Sequence, residues 1–188
     1  LEKRQMEGYY CPTVEDAEKL AFSFLKDGQT VSFGGSMTLE ETGMLTALRH
    51  DPSIHLIDRS TAKTPDETKK MYHDALSSDV YFMSTNAITT GGELVNIDGT
   101  GNRVAALIYG PETVVILAGM NKIAANVDEA LSRVHNVATA QNCIRLDKKT
   151  PCAITGACAD CLSPDCICNQ VVITRRSGIK GRIKVLLI

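Results

Sequence analysis

The sequence predicts an α/β protein built on a mostly parallel sheet covered by helices on both faces. Three observations carry this. Short apolar segments alternate with amphipathic ones at the spacing of strand and helix units. Thr113–Leu117 is the most apolar strand-like run of the chain. A glycine turn, Gly34-Gly35-Ser36, leads from one strand-like run straight into a helical one.

The elements follow in order. Residues 1–10 are polar and aromatic, without clear periodicity. From Thr13, the side chains Val14, Ala17, Leu20, Ala21 and Phe24 recur at helical spacing, with Thr13 as N-cap and Gly28 as terminator. Thr30–Phe33 reads as a short strand. Thr38-Leu39-Glu40-Glu41 has the capping-box pattern and predicts a helix to Arg49. His55–Asp58 is a strand, and Thr64-Pro65-Asp66-Glu67 combines an N-cap, a proline at the first helical position and an N3 glutamate, opening a helix to Ser77. Val80–Met83 is the next strand. Residues 86–102 are rich in glycine and asparagine and read as a functional loop, broken by an extended piece at Leu94–Ile97. A short helix at Val104–Tyr109 precedes the Thr113–Leu117 strand. Asn126 with Glu129 caps a helix to Ala138, and Val171–Thr174 and Arg182–Ile188 close the chain as strands.

At 188 residues the chain suits one domain, taken here as 1–188 with a cysteine-rich loop at 151–169. Lys plus Arg is 20 against 22 Asp plus Glu, so the balance carries no nucleic-acid footprint. No apolar run approaches the roughly 20 residues that span a bilayer. Seven cysteines, an odd number gathered mostly in one loop, suit reduced thiol chemistry and a cytoplasmic location better than a secreted disulfide framework.

In parallel sheets, ligands sit beyond the carboxyl ends of the strands. Gly34, Gly35, Ser36 and Met37 occupy such a place and offer backbone N–H groups at a helix start to an anion. Asn86, Thr90, Gly91 and Gly92 supply hydrogen-bonding groups around glycines that permit close approach, suited to a polyol, sugar or phosphate. Glu93 and Asp98 are the acids of these loops and so the default acid/base pair. Asn121 and Lys122 add an amide and a cation after the most apolar strand. Turn chemistry alone accounts for the same residue types.

Five of the seven cysteines lie between Cys152 and Cys168. Cys152, Cys158, Cys161 and Cys168 make a C-x5-C-x2-C-x6-C spacing, which four thiolates can use to hold zinc or a [4Fe-4S] cluster. A set of structural thiols is the alternative.

With TTGGELVNIDGTGNRVAALIYGPETVVILAGMNKI and CAITGACADCLSPDCICN in view, the chain resembles the lactate-utilisation (LUD) family, in particular short stand-alone members with a cysteine-rich segment and a final GRIKV strand. The resemblance covers nearly the whole chain. It implies a three-layer αβα sandwich, the fold shared by glucosamine-phosphate deaminase, ribose-phosphate isomerase and coenzyme A transferases. In that superfamily the ligand site maps onto Gly34–Ser36 and the 86–103 region, and Gly91 through Thr100 is similar to a sugar-phosphate substrate loop, which implies the role for Asp98. Related short members carry cysteine at 152, 158, 161 and 168 and a basic residue at 166, so Cys166 departs from the pattern. The family's role implies an accessory of bacterial L-lactate oxidation, binding a small anion beside iron–sulfur partner subunits. An isomerase or transferase of a phosphorylated sugar or acyl substrate with structural zinc, and a metal-stabilised interaction module, are the competing expectations.

Overall fold

Strand β4 (Val80–Met83) is buried at every position because strands flank both its edges and helices cover both its faces. It belongs to a six-stranded, all-parallel sheet ordered β1 (Glu7–Tyr10), β10 (Ile183–Leu187), β7 (Thr113–Ala118), β4, β2 (Thr30–Phe33) and β3 (His55–Ile57). The α/β reading with a mostly parallel sheet is the observed architecture. The computed structural model describes residues 1–188 and has two compact units. The first joins Leu1–Ser84, Ala105–Met120 and Arg176–Ile188; the second joins Thr85–Val104 and Asn121–Arg175.

In the first unit, β2 leads by α2 (Met37–Glu41) and α3 (Met44–His50) to its neighbour β3, and the next crossover, α4 (Pro65–Leu76), returns past β2 to β4. Right-handed crossovers in opposite directions put their helices on opposite faces. One face is the larger core. Val31, Phe33, Phe82, Val115, Leu117 and Leu186 point to it from the sheet and meet Leu39, Met44, Leu45 and Leu48, with Ala17 and Ala21 of α1 (Val14–Phe22) closing it. Burying a side chain of Phe82's kind contributes about 2 kcal/mol.

Three readings need correction here. Residues 7–10 form β1, an edge strand paired in parallel with β10. The helix expected from Thr38 to Arg49 is two helices, because Gly43 takes φ 71 between them. Its cap is Ser36, whose Oγ accepts the Leu39 N–H at 3.4 Å, and not Thr38.

The second unit carries a four-stranded sheet ordered β8 (Ile123–Ala124), β5 (Ala87–Thr89), β6 (Leu94–Asp98) and β9 (Gln170–Thr174). The expected 86–102 loop therefore holds two strands, the extended piece expected at Leu94–Ile97 within β6 and the unexpected β5, which pair as an antiparallel hairpin. α6 (Val127–Arg133) packs on one face through Ala130, against Ala87, Val95 and Ile97. Beyond it the helix does not stop at Ala138. It passes through a π-helical turn, Val134–Thr139, into α7 (Ala140–Arg145). The cysteine segment opens with the single turn α8 (Pro151–Thr155). No helix of the chain is long and apolar enough to cross a membrane.

Candidate functional site

The order in which the chain lays strands into the first unit's parallel sheet reverses between β2 and β4, and the carboxyl ends of strands at such a switch point are where sheets of this kind bind ligands. The Gly34 N–H donates to the Phe82 carbonyl at 2.9 Å, fixing the start of the loop against β4. Gly35 is exposed and Ser36 caps α2. The first intrahelical bond runs from the Glu40 N–H to the Ser36 carbonyl, so the N–H groups before it lie outside the helix ladder.

Arg59 is the residue that sequence reasoning missed. It follows β3 in a short 3-10 turn, Arg59–Thr61, fixed by Asp58, whose carboxylate accepts the Ser60 N–H at 2.8 Å. A Cβ on Gly35 would overlap Nη2 of Arg59, so the guanidinium lies directly against the glycine loop. It also sits over the Tyr72 ring, 5.6 Å from the centroid. The neighbouring Asp58 is committed elsewhere: it accepts from Nε of Arg49 at 2.8 Å. Burial alone would raise the Asp58 carboxyl, but the Ser60 hydroxyl and the Arg49 guanidinium outweigh it and hold the carboxyl below its ordinary range. Arg49 thus has a carboxylate partner, and Arg59 makes no ion pair. An arginine near a strand end has no periodic signal, so nothing in the sequence singled it out.

In the second unit, the amides, the acid and the glycines of 86–103 are largely spent on one another. Asn86 Oδ1 accepts from the Ile97 N–H at 3.0 Å and from Nη2 of Arg103 at 2.9 Å. Arg103 Nη1 donates to Asn96 Oδ1 at 2.6 Å, and its Nε is 3.2 Å from Asp98. Asp98 also accepts the Gly101 N–H at 3.0 Å, closing the turn before α5 (Asn102–Ile108). Glu93 accepts a hydrogen bond from the Thr89 hydroxyl and closes the β5–β6 hairpin, in which Gly91 and Gly92 make the turn, Gly92 with φ 89. The Thr90 hydroxyl donates to the Ala125 carbonyl at 2.8 Å. Asn121 and Lys122 lie in a 3-10 turn, where the Asn121 carbonyl accepts from Nε of Arg133 at 3.1 Å. Asn96 and Arg103 are thus central, and neither stood out in a run already dense in polar residues.

Six of the seven cysteines lie in the second unit. No group of three or more His, Cys, Asp or Glu side chains is arranged to hold a metal ion, so Cys152, Cys158, Cys161 and Cys168 do not converge on one centre. The donor set as placed does not fit a four-thiolate cluster or zinc site. Cys152 is buried with Cys143 between Ala140 and Ala153, 3.2 Å from the Thr150 hydroxyl. Burial pushes the Cys143 thiol up. Cys168 packs under the second sheet, and burial pushes its thiol up to about 12. Its N–H donates to Cys166 Sγ at 3.3 Å. Cys158 stands apart, exposed, 3.6 Å from Nδ1 of His135.

Comparison with known proteins agrees with this architecture. A crystal structure of a DUF162 family protein from Deinococcus radiodurans is similar over 99% of this chain and 90% of its own, with a TM-score of 0.53 at 12% identity. Weaker likenesses are to translation factor eIF2B delta from Chaetomium thermophilum, at 20% identity over 61% of this chain and 49% of that one (TM-score 0.38). Ribose 5 phosphate isomerase A from Neisseria gonorrhoeae matches at 15% identity over 59% and 52% (TM-score 0.38). No curated protein matches the sequence. The profile of the LUD domain matches residues 1–188, and the chain belongs to the LUD domain family.

Proposed function

We propose that this LUD-domain protein, related to lactate utilisation, binds a small carboxylate or phosphate anion at Gly34-Gly35-Ser36, with Arg59 as the charged contact. The observation that carries the reading is the Arg59 guanidinium against Gly35, without a carboxylate partner, at the carboxyl end of the switch-point strands. Arginine offers a planar fork that matches carboxylate and phosphate oxygens. A glycine at position 35 keeps the approach open. In this reading the protein serves as an accessory in L-lactate oxidation, with the anion a 2-hydroxy or 2-oxo acid and iron–sulfur subunits as partners.

Calorimetric titration of L-lactate, pyruvate, inorganic phosphate and ribose 5-phosphate tests it. The wild type should bind one of the organic acids, and Arg59→Ala should weaken that binding about tenfold or more, near 1.4 kcal/mol. Gly35→Val should abolish it, with Arg59→Lys intermediate. Equal affinity in wild type and Arg59→Ala would remove the loop from the site. Preference for the sugar phosphate would favour the isomerase or transferase reading.

A further inference from the structure

We propose that Cys158 and Cys161 form a thiol–disulfide exchange site, with Cys158 as the attacking thiol and His135 as the group that takes its proton. Cys158-Ala159-Asp160-Cys161 has the C-x-x-C spacing at which two thiols close into one disulfide. Of the seven cysteines, Cys158 is the exposed one, and Cys161 is half-buried beside it in the chain.

Three contacts converge on residue 158. Nδ1 of His135 lies 3.6 Å from Sγ, within reach of the thiol proton. The Asp160 N–H donates to the same sulfur at 3.4 Å, with Asp160 at φ 46, in the left-handed region that aspartate tolerates better than most residues. The Cys158 N–H donates to Asn136 Oδ1 at 3.0 Å. His135 and Asn136 are consecutive residues of the π-helical turn Val134–Thr139, and such turns recur at functional sites. The segment that departs from α-helical geometry is therefore the one that holds the exposed thiol.

Three of the other thiols are shielded. Cys143 and Cys152 are buried together, and Cys168 is packed under the sheet with its proton held tightly. A thiol next to an imidazole and a backbone N–H, in partial exposure, is the arrangement found for reactive cysteines. The substrate class is a disulfide between small thiols. The Cys158 sulfur attacks one sulfur of that disulfide, the S–S bond breaks, and one thiol leaves with a proton. Cys161 then attacks the Cys158 sulfur of the mixed disulfide, releasing the second thiol and leaving a Cys158–Cys161 disulfide. The substrate is reduced by two electrons and the dithiol oxidised by two.

The test uses the full chain with glutathione disulfide as oxidant and iodoacetamide as probe, read by peptide mass spectrometry. Cys158 should be alkylated first, and His135→Ala and His135→Gln should each slow that labelling about tenfold, with unchanged circular dichroism. Glutathione disulfide should yield a Cys158–Cys161 disulfide in the wild type and a glutathionyl adduct at Cys158 in Cys161→Ser. Labelling of Cys158 no faster than Cys161 or Cys166, the same rate in both His135 variants as in wild type, or two free thiols after glutathione disulfide would each overturn the proposal.

Discussion

Nε of Arg103 lies 3.2 Å from the Asp98 carboxylate, with only 12% and 10% of the two side chains exposed. The same guanidinium reaches Asn96 and Asn86, so one arginine satisfies three side-chain oxygens within the second unit. A buried ion pair adds little net stability over an apolar pair, but removing one partner strands the other. Asp98→Ala should therefore destabilise the protein by about 3 kcal/mol, read from urea midpoints at unchanged m. Asp98→Ala combined with Arg103→Met should recover part of that loss. A single variant within about 0.5 kcal/mol of wild type would show that the Asp98–Arg103 pair does not support the fold.

Gly110 and Gly28 both have positive φ, 121 and 78, yet they predict different costs. A Cβ at Gly28 meets nothing within 4 Å, whereas one at Gly110 would run into the Leu76 carbonyl oxygen at the end of α4. Gly28→Ala should cost about 1 kcal/mol, the dihedral penalty alone. Gly110→Ala should cost about 3 kcal/mol or more, since backbone must also move. Equal melting temperatures for the two variants would contradict the tight packing at Leu76.

Stability against pH should report the β1–β10 pairing. Glu7 is bonded to Lys184 at 2.5 Å and to the Tyr9 hydroxyl at 2.7 Å, and these bonds, Lys184 first, hold its carboxyl below the ordinary 4.5. A depressed carboxyl stabilises the fold above the unfolded value and loses that contribution as pH falls through the folded one. Tyr9, pushed up to about 12 by burial and then by Glu7, works in the opposite sense: its contribution is present below the ordinary 10 and lost as pH rises towards about 12. Glu7→Gln should flatten the fall in Tm below pH 4.5, and Tyr9→Phe should flatten the fall above pH 10. Parallel profiles for variants and wild type would place the titrating groups elsewhere.

The contrast between β4 and β1 shows what sequence makes legible. Val80–Met83 lies in the sheet interior, where both faces are covered, so its local composition states its fate. Glu7-Gly8-Tyr9-Tyr10 is a strand only because Ile183–Leu187 arrives beside it, and no local pattern records a partner from the other end of the chain. The same holds for Arg59, whose meaning comes from Gly35 on another loop, and for the pairing of Cys158 with His135 across an irregular segment. Ala87–Thr89 was hidden differently: its glycine- and asparagine-rich surroundings suit a tight hairpin as well as a loop, and pairing with Leu94 and Val95 decides the matter. Helices, whose caps and periodicity are local, were mostly legible; the exceptions are the Gly43 break, the Ser36 cap, the π-helical turn and the single turn α8 inside the cysteine loop.

Arg182 carries the last prediction. Its Nε, Nη1 and Nη2 donate to the carbonyls of Pro111, Leu107 and Ala106 at 2.9, 2.7 and 2.8 Å. Two of these oxygens belong to the last turn of α5, where carbonyls lack helical partners and a positive charge is favoured. Burial pulls the pKa of Arg182 down, a cost the three bonds must offset, yet a guanidinium remains protonated at any ordinary pH. Lysine can supply the charge but not a planar fork aimed at three oxygens at once. Arg182→Lys should therefore lose about 2 kcal/mol, and Arg182→Ala about 3 kcal/mol or more, measured by urea unfolding. Because the bonds clamp one helix end, amide exchange at Ile108 and Tyr109 should speed up in both variants more than exchange in β4. Uniform acceleration across the sheet would mean that Arg182 supports the whole core instead of the end of α5.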